Sequence, residues 1–509
     1  MRFCCCFKGL LLAFAGAWMI AGFAGAEEPR KRAYEPFAEP PPQAREASYG
    51  SLVAKLRDSA GMSRALGQGG GDLPEGVELQ ALFPPAGGST GGAMPQAADP
   101  KREELSRWQQ VNYSGGLDLP SLAAELRASG LFEKVEPHYH YRVDGSGSGG
   151  ASGSLQSIPD GSGDPNFGSQ WHLEASRVKE AWQAMEAEGF EPGGSSDVVV
   201  AVIDSGIDYT HPDLAPNLWV NSGEIPGNGL DDDGNGLVDD VHGASFIGSS
   251  FDHNGDPMDD NGHGTHVAGI IGAVADNGEG VVGVAYNVRL MAVKSAQFSG
   301  ILTSSDIAEG ILYAVEHGAD VINMSFGGAS RSTLVEDALA VAFGQAVLVA
   351  SAGNDGRHTE IPPLAPPPLP MYPAAHIYVL GVMAERESPQ EGEWLAGFSN
   401  WDSRPDSRIE YELMAPGTGI WSTIPGGQYA AWNGTSMAAP VVSGVAALLR
   451  TKYSDRNAYS SRFIMGQIAA TGPVKIGKAP QAYYSLDAEA ALTEAPTPEI
   501  QFLDVLVFD

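Results

Sequence analysis

The chain has 509 residues and a formal net charge of −33, with 63 acidic residues against 30 basic ones. A chain of this length normally folds as more than one unit, because a single hydrophobic core stops growing beyond roughly 250–300 residues. The acidic balance argues against nucleic acid or an anionic lipid surface as a partner, and it favours solubility and cation binding.

The N-terminus has the pattern of a secretory signal peptide. Positive charge precedes an apolar run over 9–23, and Ala24–Ala26 provides the small residues of a cleavage site. The run is shorter than the ~20 residues of a membrane-spanning helix, so we expect a cleaved signal over 1–26 and no membrane anchor. The signal predicts a secreted protein, either extracellular or periplasmic. The cysteines all fall at positions 4–6, so the mature chain is predicted to have no disulfide.

Composition divides the following residues into three segments. Residues 27–47 are rich in proline, alanine and charge, which predicts disorder. Residues 48–143 predict a small unit that contains a helix over Pro120–Ala128 and then a strand over Phe132–Tyr141. A Gly/Ser-rich stretch over 144–163 predicts a flexible linker.

Residues 164–492 alternate continuous apolar runs with helical stretches. This alternation predicts an α/β three-layer sandwich, with a mainly parallel central sheet covered on both faces. Residues 493–509 are expected to form an extension that ends in a strand, as at the start of a further domain. The clearest predicted strands and helices of the sandwich are, in chain order, Val198–Ile203, Val267–Ala275, Thr303–His317, Asp320–Met324, Ser332–Phe343 and Ala346–Ala350.

A run of small and apolar residues from Ser436 to Arg450 predicts a buried helix. Serine is common at helix starts because its hydroxyl caps the first turn, so this run alone favours a cap over catalysis. Pro440 is interpreted as a residue of the first turn, where its missing N–H has no helical partner to lose.

Three other residues change that interpretation, because each lies where a parallel sheet carries its functional groups. Asp204 ends the first strong strand, His263 opens a helix between glycines, and Asn354 follows a buried strand. Alone they favour a turn aspartate, a capping or metal-binding histidine, and a turn asparagine. A nucleophilic serine needs a base, however, and the base needs an orienting acid. Asp204, His263 and Ser436 therefore form a candidate triad, and the Asn354 amide can donate to an oxyanion.

The four motifs occur in an order that is typical of one family, and they are Val202–Ile207, His263–Gly269, Ala352–Asn354 and Gly434–Pro440. On these motifs, residues 164–492 resemble the subtilisin family of serine peptidases (subtilases, peptidase family S8). The resemblance implies an endopeptidase that cleaves polypeptides through an acyl-enzyme on Ser436. Its oxyanion hole would use the Asn354 side chain and the Ser436 N–H. It also implies a monomer with no cofactor for catalysis.

The resemblance implies two further roles. Ser325, Phe326 and Gly327 would form the edge that pairs with an extended substrate, since main-chain hydrogen bonds form whatever the side chains are. Residues 48–143 would be a propeptide that acts as an intramolecular inhibitor. Self-cleavage is then expected in or near 141–165.

The loop from Asp231 to Asp240 resembles the first nine positions of an EF-hand. His242 stands where the twelfth position carries glutamate, and a solvated acidic loop is the alternative. Because crowded carboxylates need a counterion, we expect a structural Ca²⁺. Its predicted ligands are Asp231, Asp233, Asn235, Leu237 and Asp239. The family resemblance implies a second Ca²⁺ site, with Asp164 or Gln170 as further candidates beside Asp213, Ala275, Asn277, Glu279 and Val281.

Two other functions remain open from the sequence. A metal-dependent hydrolase would use His263, His266 and Asp259 or Asp260, but the chain has no HExxH motif. A catalytically silent calcium-binding module could keep the same fold. Substrate specificity is not encoded in a motif, and a broad or apolar preference before the cleaved bond is the default expectation. The Pro-rich segment 361–370 follows the oxyanion motif and is expected near that pocket.

Overall fold

The computed structural model describes residues 51–57, 73–74, 76–83, 104–143, 163–248, 252–356, 370–402 and 410–495. The predicted signal peptide 1–26 and disordered segment 27–47 lie outside these residues. So do nearly all of the linker 144–163, most of the Pro-rich segment 361–370 and most of the extension 493–509.

The helices of the described residues are α1 (Leu119–Ala128), α2 (Trp171–Ala175), α3 (Val178–Ala187), α4 (His263–Gly272), α5 (Ser304–Glu316), α6 (Thr333–Ala342), α7 (Thr435–Lys452), α8 (Ser461–Thr471) and α9 (Ala488–Thr493). The strands are β1 (Leu52–Leu56), β2 (Val77–Ala81), β3 (Trp108–Tyr113), β4 (Phe132–Pro137), β5 (His140–Val143), β6 (Val199–Asp204), β7 (Gly243–Ser245), β8 (Arg289–Lys294), β9 (Ile301–Thr303), β10 (Val321–Met324), β11 (Phe326–Gly327), β12 (Val347–Ser351), β13 (Leu380–Gln390), β14 (Glu393–Leu395), β15 (Leu413–Pro416), β16 (Ile420–Ile424), β17 (Gln428–Trp432), β18 (Val474–Lys478) and β19 (Gln481–Ser485). None of these helices combines the length and the apolar composition that a membrane span requires.

The strands β1 to β4 and helix α1 form a small α+β unit. Its antiparallel sheet has the order β2-β3-β1-β4, and α1 packs Leu122 and Leu126 against it. The predicted helix over Pro120–Ala128 is confirmed. Asp118 caps this helix by accepting the N–H of Ser121 at 2.8 Å, which explains where α1 begins.

The predicted strand over Phe132–Tyr141 is divided into β4 and β5 in the structure. The division occurs because the chain changes partners at this point. β4 pairs with β1 inside the small unit, whereas β5 pairs with β9 and β11 of the larger unit. The small unit is thus connected by a strand to the rest of the molecule.

The larger unit is built on a sheet that has ten strands in the described part of the chain. Its order is β18-β19-β15-β13-β12-β10-β6-β8-β7, with β14 paired to β13. The neighbours from β19 to β7 are parallel, whereas β18 pairs antiparallel with β19 at one edge and β14 pairs antiparallel with β13. The predicted mainly parallel sheet is confirmed.

Helices cover both faces of this sheet. In β6, Val200 and Val202 belong to a core that contains residues of α3, α4, α7, α8 and α9, whereas Ala201 and Ile203 belong to a second core with α5 and α6. A strand buried on both faces must be apolar at every position, which is why β6 is a continuous apolar run. The α/β three-layer architecture is therefore as expected.

Candidate active site

Asp204 ends β6, a central strand of the large sheet. Its side chain is fully buried, and its Oδ1 accepts the N–H of Ser205 at 2.7 Å. The carboxyl ends of parallel strands meet at one edge of a sheet, where ligand sites form. The structure therefore places Asp204 where a functional carboxylate is expected.

His263 is the first residue of α4, which begins earlier than the predicted Val267. The reason is Asp259, whose carboxylate accepts the N–H groups of Gly262 and Thr265 at 2.8 and 2.9 Å. These bonds satisfy donors that have no partner within the helix, so they fix its start. The cap places the imidazole at the helix mouth.

The imidazole and the buried carboxylate form a close pair. His263 Nδ1 lies 2.8 and 2.9 Å from the two carboxylate oxygens of Asp204. Gly264 allows the start of α4 to lie this close to the chain after β6, since a Cβ there would lie 2.1 Å from the carbonyl oxygen of Gly206. When Nδ1 donates to a carboxylate, the neutral ring carries its lone pair on Nε2. The pair can therefore act as an oriented general base.

Ser436 lies in the first turn of α7, which begins at Thr435. The side chain is buried, and its Oγ donates to the carbonyl oxygen of Ser325 at 3.1 Å. Helices α4 and α7 pack against each other, and Trp432, just before α7, has its ring centroid 6.3 Å from that of His263. The base and the serine thus come from the starts of two packed helices.

The first-turn interpretation of Pro440 is wrong. Because α7 begins at Thr435, Pro440 is its sixth residue and withholds the N–H that the Ser436 carbonyl would accept in a regular helix. The Ser325 hydroxyl donates to this carbonyl instead, at 2.9 Å, and accepts in turn from Asn323 Nδ2 at 2.9 Å. No motif marked this use of Ser325 or the contribution of Asn323.

Asn354 is anchored beside the serine. Its Oδ1 accepts both the N–H of Thr435 at 2.8 Å and the Thr435 hydroxyl at 2.9 Å. Since the amide oxygen is held in this way, the amide nitrogen faces away from Thr435. The N–H of Ser436 lies in the first turn, where backbone donors have no helical partner. These two groups are the donors that the predicted oxyanion hole requires.

The predicted substrate edge holds an extended segment of the chain itself. β11, which contains Phe326 and Gly327, is antiparallel to β5, and β9 pairs with the other edge of β5. Ser325 directly precedes β11. This edge therefore binds peptide main chain by strand addition.

The residues of the alternative metal site have structural roles. His266 is buried, its Nε2 lies 3.1 Å from the carbonyl oxygen of Ala430, and burial lowers its pKa to about 3. Asp259 caps α4, and Asp260 forms an ion pair with Lys294 at 2.6 Å. The geometry favours the serine-based site over a metal-dependent one.

The acidic loop brings Asp231 and Asp233 together with Glu224, which the motif did not predict. Ligand oxygens of these three residues lie within 4.8 Å of one another. Glu224 is buried and accepts the N–H groups of Asp232, Asp233 and Asp239. Carboxylate oxygens of this kind are the ligands that Ca²⁺ prefers.

One predicted loop carboxylate has other partners. The Asp239 carboxylate accepts the N–H groups of Asn228 and Gly229 at 3.2 and 2.9 Å. The Asn235 side chain stays beside the cluster, since it donates to Asp233 at 3.2 Å. Of the predicted carboxylates, Asp231 and Asp233 thus cluster with Glu224, and Asp239 is not in that group.

The second predicted set converges on Asp213. This buried carboxylate accepts from Asn277 Nδ2 at 2.8 Å and from the N–H of Val281 at 3.1 Å, and burial raises its pKa. Asp164 accepts the N–H of Asn277 at 3.1 Å, and the Asn277 Oδ1 accepts the N–H of Glu279 at 2.8 Å. The structure therefore brings five of the predicted residues together around one turn, namely Asp164, Asp213, Asn277, Glu279 and Val281.

The comparison with known proteins finds similarity over the part of the chain that contains these candidate residues. The model of the subtilase family matches residues 195–474, a range that contains Asp204, His263, Asn354 and Ser436. Over 260 residues the chain is 39% identical to the thermophilic serine proteinase of Bacillus sp. (strain AK1), which covers 51% of this chain and 53% of that protein. Over 292 residues it is 36% identical to subtilisin-like protease 1 of Plasmodium vivax, which covers 55% of this chain and 44% of that protein.

A shorter relative is covered more completely. The chain is 38% identical to subtilisin DY of Bacillus licheniformis over 280 residues, which cover 55% of this chain and 84% of that protein. It spans about half the length of the two relatives named before. The family match extends over more than half of the chain and contains each of the predicted motifs. This chain belongs to the subtilase family.

Proposed function

We propose that the chain is a serine endopeptidase that hydrolyses polypeptides through an acyl-enzyme on Ser436. The observation that carries the proposal is the bonded pair of Asp204 and His263 at the mouth of α4, which packs on the helix that begins beside Ser436. The relatives are named as a serine proteinase, a subtilisin-like protease and a subtilisin, which supports the same chemistry.

In the proposed mechanism, the Ser436 Oγ attacks the substrate carbonyl carbon while His263 accepts its proton. Asp204 holds the ring and stabilises the imidazolium that forms. The Asn354 amide and the Ser436 N–H donate to the oxyanion. His263 then gives the proton to the leaving amine as the C–N bond breaks. Water attacks the resulting ester by the same route, which releases the carboxylate and restores the serine.

The proposal includes a secreted precursor in which residues 48–143 inhibit the site. The signal-peptide pattern of residues 1–26 supports secretion, and the contact between Glu136 and the start of α6 supports inhibition. This buried carboxylate accepts from the Ser332 hydroxyl at 2.8 Å and from the N–H groups of Thr333 and Leu334 at 3.1 and 3.2 Å. A carboxylate at a helix N-terminus is stabilised by the helix dipole. β5 meanwhile lies along the edge that a substrate would use.

The experiment compares wild type with Ser436→Ala and with Ser443→Ala, which removes a buried hydroxyl from the same helix. Ser436→Ala should lose casein hydrolysis and accumulate uncleaved precursor, whereas Ser443→Ala should retain both activities. Continued processing of pure Ser436→Ala would contradict the proposal. If wild type were as inactive as Ser436→Ala, the catalytically silent module would be the better description.

We propose that Ca²⁺ stabilises the folded chain and takes no part in catalysis. The donor sets around Glu224 and Asp213 fit a hard cation, because they are rich in carboxylate oxygen. A ligand that binds the folded state alone adds about 2.7 kcal/mol of stability at roughly 100 times its Kd. Ca²⁺ should therefore raise the unfolding temperature. Glu224→Gln should reduce this rise, whereas Glu174→Gln on α2 should not, and equal responses would contradict the loop site.

A further inference from the structure

A cavity of about 280 Å³ lies where the small unit meets the larger one. Its volume is near the lower end of the roughly 300–1,000 Å³ that is usual for small-molecule sites. The described residues that line it include no member of the candidate triad. The small unit contributes Leu82, Phe83 and Leu105 to its wall, and helix α5 contributes Glu309, Leu312 and Tyr313.

Aromatic side chains form part of the cavity wall. The ring centroid of Phe246 lies 5.3 Å from that of Tyr313 and 5.4 Å from that of His253. The Tyr313 hydroxyl donates to Asp240 Oδ2 at 2.6 Å, which fixes the orientation of the ring. The faces of such rings carry partial negative charge and attract cations. The wall therefore favours a positively charged ligand over a negatively charged one.

A carboxyl group and an imidazole share the cavity with these rings. Glu309 Oε2 lies 3.1 Å from His253 Nδ1, and each of the two side chains is only 10% exposed. Burial raises the pKa of Glu309 well above its ordinary range and lowers the pKa of His253, so both shifts favour an uncharged pair. Burying two polar groups costs free energy, and the proposed mechanism uses neither of them. A cation in the cavity would stabilise the Glu309 carboxylate.

The charges around this pair are negative. The carboxylate of Asp306 acts on Glu309 from the same helix. Asp252 acts on His253, and the exposed Glu316 lines the cavity. The described residues of the cavity wall include no lysine or arginine. An anionic ligand would thus be repelled without a compensating partner, whereas a cationic ligand would be attracted.

We propose that the cavity binds a primary amine with an aromatic body, whose ammonium group pairs with the Glu309 carboxylate and whose ring packs among Phe83, Phe246 and Tyr313. The carboxyl proton of Glu309 leaves to water when the ligand binds, so that one carboxylate meets one ammonium group. The site is separate from the candidate triad, and the inference does not rest on the proposed function.

The first test measures binding by titration calorimetry with the whole Ser436→Ala chain, because both units must be present to enclose the cavity. The probes are phenethylamine, 2-phenylethanol and 3-phenylpropionate, which share a ring and differ in the end group. Phenethylamine should bind with saturation and at least about tenfold more tightly than the alcohol, since charge-assisted hydrogen bonds are roughly twice as strong as neutral ones. The carboxylate should bind more weakly than either. Equal affinities for the amine and the alcohol, or no saturable binding of the amine, would overturn the inference.

The second test changes the cavity wall. Glu309→Gln keeps the shape of the side chain and removes its charge, so phenethylamine should lose at least about tenfold in affinity. Glu316→Gln is the matched control on the same helix and should stay within about threefold, since water screens this exposed carboxylate.

A third variant tests the cavity without changing any charge. Leu312→Phe adds a ring to the wall from α5, so it should weaken the binding of phenethylamine by at least about tenfold. The unfolding temperature shows whether each variant is folded, and Leu312→Phe decides the matter if Glu309→Gln does not fold. Phenethylamine binding that stays unchanged in a folded form of either variant would contradict the site.

Discussion

Replacing Ser325 with alanine tests how the nucleophile is positioned. The Ser325 hydroxyl donates to the Ser436 carbonyl at 2.9 Å, and Pro440 removes the helical N–H that would otherwise serve this acceptor. Ser325→Ala leaves the carbonyl buried without its donor, at a cost of about 1–3 kcal/mol. The first turn of α7 can lessen this cost by shifting, and a shift moves Ser436. If the activation free energy rises by the whole of this amount, kcat falls by roughly 5- to 160-fold.

The assay separates kcat from KM on a peptide substrate and adds the unfolding temperature. KM should change little, because an extended substrate pairs with main-chain groups of this edge and does not need the hydroxyl. Ser325→Thr keeps the donor and should restore kcat. Ser443→Ala is the matched control, since its hydroxyl donates to Asn323 Oδ1 at 2.9 Å in the same buried network. If Ser325→Ala keeps the kcat of wild type and only lowers the unfolding temperature, as Ser443→Ala should, the positioning role is refuted.

Two further changes test the inhibitory contact and a buried histidine. Glu136→Gln should weaken the hold of the small unit on α6 and so shorten the lag before casein hydrolysis, because hydrogen bonds to a charged group contribute about 1.5–3 kcal/mol. Glu133→Gln is the control, since Glu133 is exposed. An unchanged lag in Glu136→Gln would argue against the contact. Burial lowers the pKa of His172 to about 3, below the ordinary value of about 6.5 that the unfolded chain keeps. As the pH falls from 6.5 towards 3, the unfolded state binds a proton that the folded state does not, so the free energy of unfolding decreases, by about 2 kcal/mol at pH 5. His172→Leu should reduce the loss of unfolding free energy between pH 7 and 5, and an equal loss in both proteins would contradict this.

The architecture could be predicted because its causes are local. Each central strand is apolar at successive positions, as in Val199–Ile203 and Val347–Ala350, and both faces of those strands are buried in the structure. Helix ends were less predictable. α4 begins at His263 because Asp259 caps it, and that cap depends on a loop conformation rather than on a periodic pattern.

The candidate triad was also predictable, since Asp204, His263 and Ser436 stand at the ends of elements that the pattern marks. Their supporting contacts were not. Ser325 and Ser436 are separated by 111 residues, so no local signal joins them. Glu224 was missed for a similar reason, because its bonds to the acidic loop depend on the path of the intervening turn. Sequence patterns therefore indicated the candidate reacting groups better than the residues that hold them.

If the small unit inhibits the site as proposed, its contacts with α6 should hold it there after the chain is cut. Lys55 and Trp108 each bond to Asp337 on α6, at 2.8 and 2.9 Å, and Glu136 bonds to the start of the same helix. The pairing of β5 with β9 and β11 does not depend on the linker that follows it. A segment that is held close to its site rebinds at high effective concentration. Release should therefore depend on the contacts with α6 as much as on β5, which is why Glu136→Gln should shorten the lag.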